Sequence, residues 1–147
     1  MSATNTFEDG LLTLIFLNSD LAAVGDATGL RGSSTAGSFY IGLHENTLTD
    51  TDDAQTTDES TYTSYAREAV VRSGSAWTVS SGTVDNDNAI VFTAATGGSS
   101  TVTDFSIGSA LSGTGQIFIY GALSAPLAIS NGITPQFAAG ALDISIN

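Results

Sequence analysis

The sequence predicts a mainly β protein: a single antiparallel β-sandwich or jelly-roll-like domain spanning residues 1–147, with one N-terminal α-helix. Three observations carry this. Short apolar, strand-like segments recur after residue 38, about eight of them at roughly ten-residue spacing. The chain has 16 glycines, 2 prolines and many β-branched residues, which suits short strands joined by turns. Only residues 6–17 repeat their apolar side chains at helical spacing. At 147 residues the chain can bury one core, with room for partner subunits to add to it.

In the helix, Thr6 can cap, Glu8 and Asp9 lie near the positive end of the dipole, and Asn18-Ser19 can end it. Phe7, Leu11 and Ile15 share a face, with Leu12 and Phe16 beside them and Leu14 further round. That face is wider than a surface helix needs, so it packs on the chain's own sheets or partly against a neighbouring subunit. Residues 18–37 read as a Gly/Ser-rich loop. A strand follows at 38–44, and then Asn46–Ser60, an acidic loop carrying Asp50, Asp52, Asp53, Asp58 and Glu59. Its few apolar residues mark it as a solvated excursion.

The rest is strand after strand. Residues 64–72 form one, and residues 76–79 around Trp77 another. The turn Asp85-Asn86-Asp87-Asn88 precedes a strand at 89–93, and Gly97-Gly98-Ser99-Ser100 punctuates before 101–107. Strands at 116–120, 125–129, 134–138 and 141–146 close the β-domain of residues 38–147. In the last of them Leu142, Ile144 and Ile146 alternate with Asp143 and Ser145. Arg67 and Arg72, five apart on one predicted strand, should face opposite sides.

Composition excludes several functions. Fifteen acidic residues face three basic ones (Arg31, Arg67, Arg72), a net charge of −12 with no lysine and no cysteine. Three arginines make no footprint for nucleic acid or an anionic membrane. Disulfides, thiolate metal sites and cysteine nucleophiles are impossible. The N-terminus has no basic n-region, and the apolar run 11–17 is far below the ~20 residues of a bilayer span, so the expectation is a protein assembled where it is made.

Candidates for chemistry are few. His44 is the one imidazole and no Gly-x-Ser-x-Gly elbow occurs, so a serine–histidine site has little support. Asp50-Thr51-Asp52-Asp53 and Asp85-Asn86-Asp87-Asn88 offer oxygen ligands without the glycine and distal glutamate of an EF-hand. Trp77, Tyr40, Tyr62, Tyr65 and Tyr120 could stack sugars, although packing is the commoner role for such side chains. The expectation is a non-enzyme with no cofactor and no metal.

From residue 39 onward the order of motifs is distinctive. Phe39-Tyr40-Ile41-Gly42-Leu43-His44, a polar loop, Tyr65-Ala66-Arg67 and Trp77 come first. An Asn-rich turn, Ala89-Ile90-Val91-Phe92 and Thr101–Gly108 follow, and Ile119-Tyr120-Gly121-Ala122-Leu123, Asn131-Gly132 and Phe137–Leu142 close the series. This succession, with the N-terminal apolar helix, resembles a family of short tailed-bacteriophage virion proteins often labelled tail-fibre-like. The resemblance implies a structural protein on the surface of the phage particle, assembled in the host cytoplasm. Its partners would be the major capsid protein or other virion proteins, and it would form a homo-oligomer, a trimer or dimer. A compact domain without shaft repeats favours a head decoration (cement) protein. A tail or tail-fibre component and a host-glycan-binding module are the alternatives. The expected subunit or shell contacts are Phe7, Leu11, Leu12, Ile15, Phe16, Arg31, Arg67 and Arg72.

Overall fold

A computed structural model describes residues 2–145. Among them α1 (Asn5–Leu17) precedes β1 (Ser38–His44), β2 (Glu68–Val71), β3 (Trp77–Ser80), β4 (Thr83–Asn86) and β5 (Ile90–Val91), followed by β6 (Ser99–Gly108), β7 (Ile117–Ser130), β8 (Gln136–Phe137) and β9 (Asp143–Ser145). The sheets run β2-β1-β6-β7, β3-β4-β9 and β5-β8. The β1–β6, β6–β7, β3–β4 and β4–β9 ladders are antiparallel. One N-terminal helix followed by antiparallel sheets is the class the sequence predicts. The strands gather into two compact units, each built from separate stretches of chain: 1–37, 71–90 and 137–147 in the first, 38–70 and 91–136 in the second.

In the first unit α1 lies on β3 and β4. Leu12 and Phe16, four residues apart, are its buried side chains, and Phe16 meets Trp77 edge-on with ring centroids 5.0 Å apart. The Trp77 indole Nε1–H donates to the Val71 carbonyl (3.0 Å), which satisfies the one polar atom of a side chain only 1% exposed. Thr4, not Thr6, stands at the cap position, without a side-chain hydrogen bond. The helix ends at Asn18 in the left-handed conformation (φ 56) and has no basic residue in its last turn. Arg72 supplies the cation instead. Its Nε donates to the Ile15 carbonyl (2.6 Å), Nη2 to Leu14 (3.0 Å) and Nη1 to Ala36 (3.1 Å), so it caps the negative end of the helix dipole.

The β3–β4 hairpin turns at Ser81 and Gly82, with φ of 56 and 78, the paired left-handed geometry of a two-residue turn. The Asp9 carboxylate accepts the Gly82 N–H (2.6 Å) and ties the helix to this turn. The expected turn at 85–88 therefore begins on a strand, and its Asn86 is buried. The Asn86 amide donates to the carbonyls of Asn88 and Ala138 (2.8 Å each) and accepts the Leu142 N–H (2.9 Å). An asparagine is tolerated there because all of these bonds are made. Beside it Leu142 and Ile144 are buried while Asp143 and Ser145 are exposed, the predicted alternation; Ile146 lies outside the described residues.

In the second unit β1 pairs with β6 so that Ile41 faces Ile107 and Leu43 faces Phe105. The alternation puts these on one face and Gly42, His44, Asp104 and Ser106 on the other. The strands predicted at 116–120 and 125–129 are one strand, β7, with an irregularity between them. Asp104 pairs with Ala122 and Val102 with Leu127, so Leu123, Ser124, Ala125 and Pro126 bulge opposite the single residue Thr103. β7 is the outer strand of its sheet. Its start is covered by the acidic loop, where Ile117 N–H donates to the Asp53 carbonyl and Gln55 N–H to that of Thr114 (2.8 and 2.9 Å).

Candidate functional site

The region richest in buried polar chemistry is the loop 46–60, and it is no solvated excursion. It is strapped across the Gly42–His44–Ser106 face of the β1–β6 pair by side chains that the composition presents as unremarkable. Gln55 is fully buried. Its amide nitrogen donates to the Tyr40 carbonyl (3.1 Å) and its oxygen accepts the Ala110 N–H (2.9 Å). Leu48 is also buried, with its N–H directed at the Asp104 carboxylate (3.3 Å). The exposed tip is closed by Asp52, which accepts from both the N–H and the hydroxyl of Thr49 (2.7 Å each); these bonds hold its carboxyl below the usual range.

An ion pair fixes the far end of the strap. Arg67 is 3% exposed and meets Glu59 side-on, Nε to Oε1 at 2.6 Å and Nη2 to Oε2 at 2.7 Å. The remaining guanidinium donors reach the carbonyls of Ala110 and Gly113 (2.9 Å each). The Tyr65 hydroxyl donates to Glu59 (2.9 Å) and accepts the Leu43 N–H (3.0 Å); burial pushes this phenol well above its ordinary pKa. Arg67 is thus the hub of three segments, 59, 65–67 and 110–113. It precedes β2 rather than lying in one strand with Arg72, so the predicted opposition of the two arginines on a shared strand does not hold.

His44 is fully buried, with Nε2 2.8 Å from Ser106 Oγ and Nδ1 2.7 Å from the Thr57 carbonyl. A carbonyl can only accept, so Nδ1 carries the proton and Nε2 accepts from the serine hydroxyl. This is the outline of a serine–base pair oriented by a third group, yet both side chains have no exposed surface for a substrate to reach. Its work is to hold the strap. Burial lowers the His44 pKa from 6.5, against a smaller opposing effect of the Thr57 carbonyl. Well above 6.5 the imidazole is neutral in both folded and unfolded chains, and its contribution is fully present. As pH falls below 6.5 the unfolded chain takes up the proton first, so stability declines until the folded pKa is passed. Denaturant midpoints measured from pH 8 to about 5 should fall in the native protein and stay flatter in His44→Gln. Glu68, whose carboxyl is raised by burial, acts in the opposite sense and is common to both proteins.

The other predicted residues are divided between the units. Leu12 and Phe16 are core; Leu11 and Ile15 are half-buried, and Phe7 is 45% exposed. Arg31 is exposed in the 18–37 loop, 3.4 Å from Asp20. That loop has more order than its Gly/Ser content suggests. Leu21 and Leu30 exchange backbone hydrogen bonds (2.8 Å each), and the Asn18 side chain accepts from Ser33 N–H (2.7 Å) and donates to its carbonyl (2.8 Å). Trp77 and Tyr62 are buried, which removes both as sugar platforms; Tyr120 stays accessible, donating to Asp50 at 2.5 Å. Among the described residues no three His, Cys, Asp or Glu side chains come together as a metal site, and no helix is long and apolar enough to cross a membrane.

Sequence reasoning passed over Gln55, Glu59, Ser106 and Glu45. For Glu45 there was a signal. It continues the Ile41–Leu43 alternation one step beyond β1, where a carboxylate on a buried register needs partners. It has them in Ser100 Oγ (2.6 Å), Thr61 N–H (2.9 Å) and Thr61 Oγ1 (3.0 Å).

Against known proteins, a family model described as Gp80, podophage GP4 fiber I protein gp80, matches residues 25–145. The span takes in the nine strands of the described residues and leaves α1 outside. No curated protein matches the chain.

Proposed function

The chain belongs to the family of the podophage GP4 fiber I protein gp80, a family of short-tailed phage virion proteins, and from that premise we propose that it is a fibre component carried on the tail of the particle. Family membership makes it a bacteriophage virion structural protein, with other virion proteins as its partners and the particle as its location. The observation that carries the finer reading is the match of residues 25–145 to a protein described as a fibre. A non-enzymatic role agrees with a His44–Ser106 pair sealed from solvent. The competing reading is a cement protein on the head, favoured by the lack of shaft repeats in the sequence.

Attachment and self-association, as a dimer or trimer, belong to the same proposal. Residues 1–24, with Phe7, stand outside the matched span, and Leu30 lies exposed in the loop that continues from them into it, so attachment contacts are expected on these two segments. Phe7 and Leu30, 45% and 44% exposed, are the large apolar side chains they present. Gold-labelled antibody on intact particles should mark tails; label confined to heads would overturn the fibre reading in favour of decoration. Phe7→Asp with Leu30→Asp should abolish incorporation while leaving the fold intact, since neither side chain is core. Undiminished incorporation would sink this attachment site. Deleting the whole helix would not test it, because Leu12 and Phe16 would leave the core with it.

A further inference from the structure

The second unit carries an open, shallow depression of about 340 Å³ lined by Glu45, Asn46, Ser99, Ser100 and Thr101. We infer that this depression receives the ammonium group of a lysine from a different protein of the particle, and so is a docking point for that partner. The inference rests on the chain being assembled with other virion proteins, not on a head or a tail position.

The protons of the buried network all point at the Glu45 carboxylate. Ser60 and Ser100, 5% and 6% exposed, are joined hydroxyl to hydroxyl at 2.7 Å. Ser100 gives its proton to Glu45 Oε1 (2.6 Å), so Ser60 donates to Ser100. The Thr61 N–H (2.9 Å) and hydroxyl (3.0 Å) donate to the same oxygen. These bonds hold the carboxyl below its usual pKa range, so it is ionised at neutral pH. Oε2 accepts no hydrogen bond from the described residues. What the depression is built to take is therefore a donor, and a cationic donor makes the stronger bond. An acceptor fixed before its partner arrives loses little entropy on binding.

The bonding at Glu45 selects an ammonium over a guanidinium. Arg67 meets Glu59 by using both carboxylate oxygens, at 2.6 and 2.7 Å. At Glu45 one oxygen is already filled by three donors, which leaves a second arginine fork a single place to bond. An ammonium needs only Oε2. Its other two protons can go to the Asn46 amide oxygen and to a hydroxyl of Ser99 or Thr101, all exposed at the rim. Charge acts in the same direction, since a chain of net charge −12 attracts cations and repels phosphates and sulfates. Composition fixes the source. The sequence contains no lysine, so a second copy has no such side chain to offer.

That absence makes carbodiimide crosslinking of intact particles a direct test. The reagent condenses a carboxylate with an amine in contact with it; an amide forms, and the water lost converts the carbodiimide to a urea. Peptide mass spectrometry should find Glu45 bonded to a lysine of another virion protein. In isolated full-length protein, Nα-acetyl-lysine methylamide should shift the amides of residues 45–46 and 99–101. The arginine analogue should bind about threefold more weakly or worse. Glu45→Gln should weaken the lysine response about tenfold. Thr101→Lys, which brings an ammonium to the rim from within the chain, should suppress it while circular dichroism stays native. Crosslinks from other carboxylates such as Asp58 with none from Glu45 would overturn the inference and leave assembly with virion proteins standing. Absence of the chain from purified particles would overturn both. A Glu45 crosslink to the amino terminus of a second copy would overturn it in favour of self-association. No shifts with the lysine derivative at its solubility limit, or shifts at these residues with Ca²⁺ alone, would also overturn it.

Discussion

Replacing Arg67 with methionine should cost about 3 kcal/mol or more of stability, a large share of the roughly 5–15 kcal/mol a domain holds. The loss is mostly what the arginine leaves behind. Glu59 is 16% exposed, and without its partner it keeps an ionised carboxylate in a site that water reaches only in part. The carbonyls of Ala110 and Gly113 lose their donors at the same time. The partial exposure of Glu59 places the expected cost toward the lower end of the range for broken buried pairs. A double variant, Arg67→Met with Glu59→Met, should recover more than half of the loss, because the unpaired charge is then gone. Urea unfolding of the four proteins in the cycle measures this directly. If the single variant cost less than about 1 kcal/mol, the pair would be behaving as an exposed one and the strap would not depend on it.

Trp77→Ala should be equally severe, at about 3–5 kcal/mol, through a cavity beneath α1. The indole is 1% exposed, meets Phe16 edge-on and uses its one donor internally, so no smaller side chain fills its place. Trp77→Phe should retain most of the packing and lose mainly the bond to the Val71 carbonyl, about 1 kcal/mol. Fluorescence is unusable as a probe in these variants, since Trp77 is the single tryptophan; circular dichroism at increasing urea serves instead. A midpoint unmoved by Trp77→Ala would mean that the helix does not rest on this sheet.

The class of fold and the helix were legible in the sequence because both are written in apolar periodicity. Leu12 and Phe16 are buried where the helical spacing puts an apolar stripe, and Leu142 and Ile144 where strand alternation does. Elsewhere the fold is held by hydrogen bonds, which leave no such pattern. Asn86 looks like turn chemistry because asparagine beside aspartate usually is, and it does bond Asn88 two residues on; its other partners, Ala138 and Leu142, are more than fifty residues away. The strap looks solvated because its buried face is Gln55, Ser60 and the His44 contact, polar groups that can be buried only when each finds a partner. Arg67 and Arg72 are two of the chain's three basic residues, and each has a specific use that no periodicity shows: one closes the strap, the other caps a helix.

The irregularity in β7 bears on how the open edge of its sheet meets other chains. From Phe105 to Leu142 the chain has no charged residue, so the outermost strand of the four-stranded sheet lacks the lysines that commonly keep such edges apart. A straight uncharged edge at the crowding of an assembled virion would invite runaway pairing from copy to copy, as in cross-β aggregates. The bulge at Leu123–Pro126 and the cover over Ile117 cut that edge into short lengths, and Pro126 has no N–H to offer. Removing the guard with Pro126→Val should raise light scattering on concentration, whereas an unchanged aggregation threshold would show that the edge needs no proline. The kink is thus expected to insulate this uncharged flank from the same flank of any neighbouring copy.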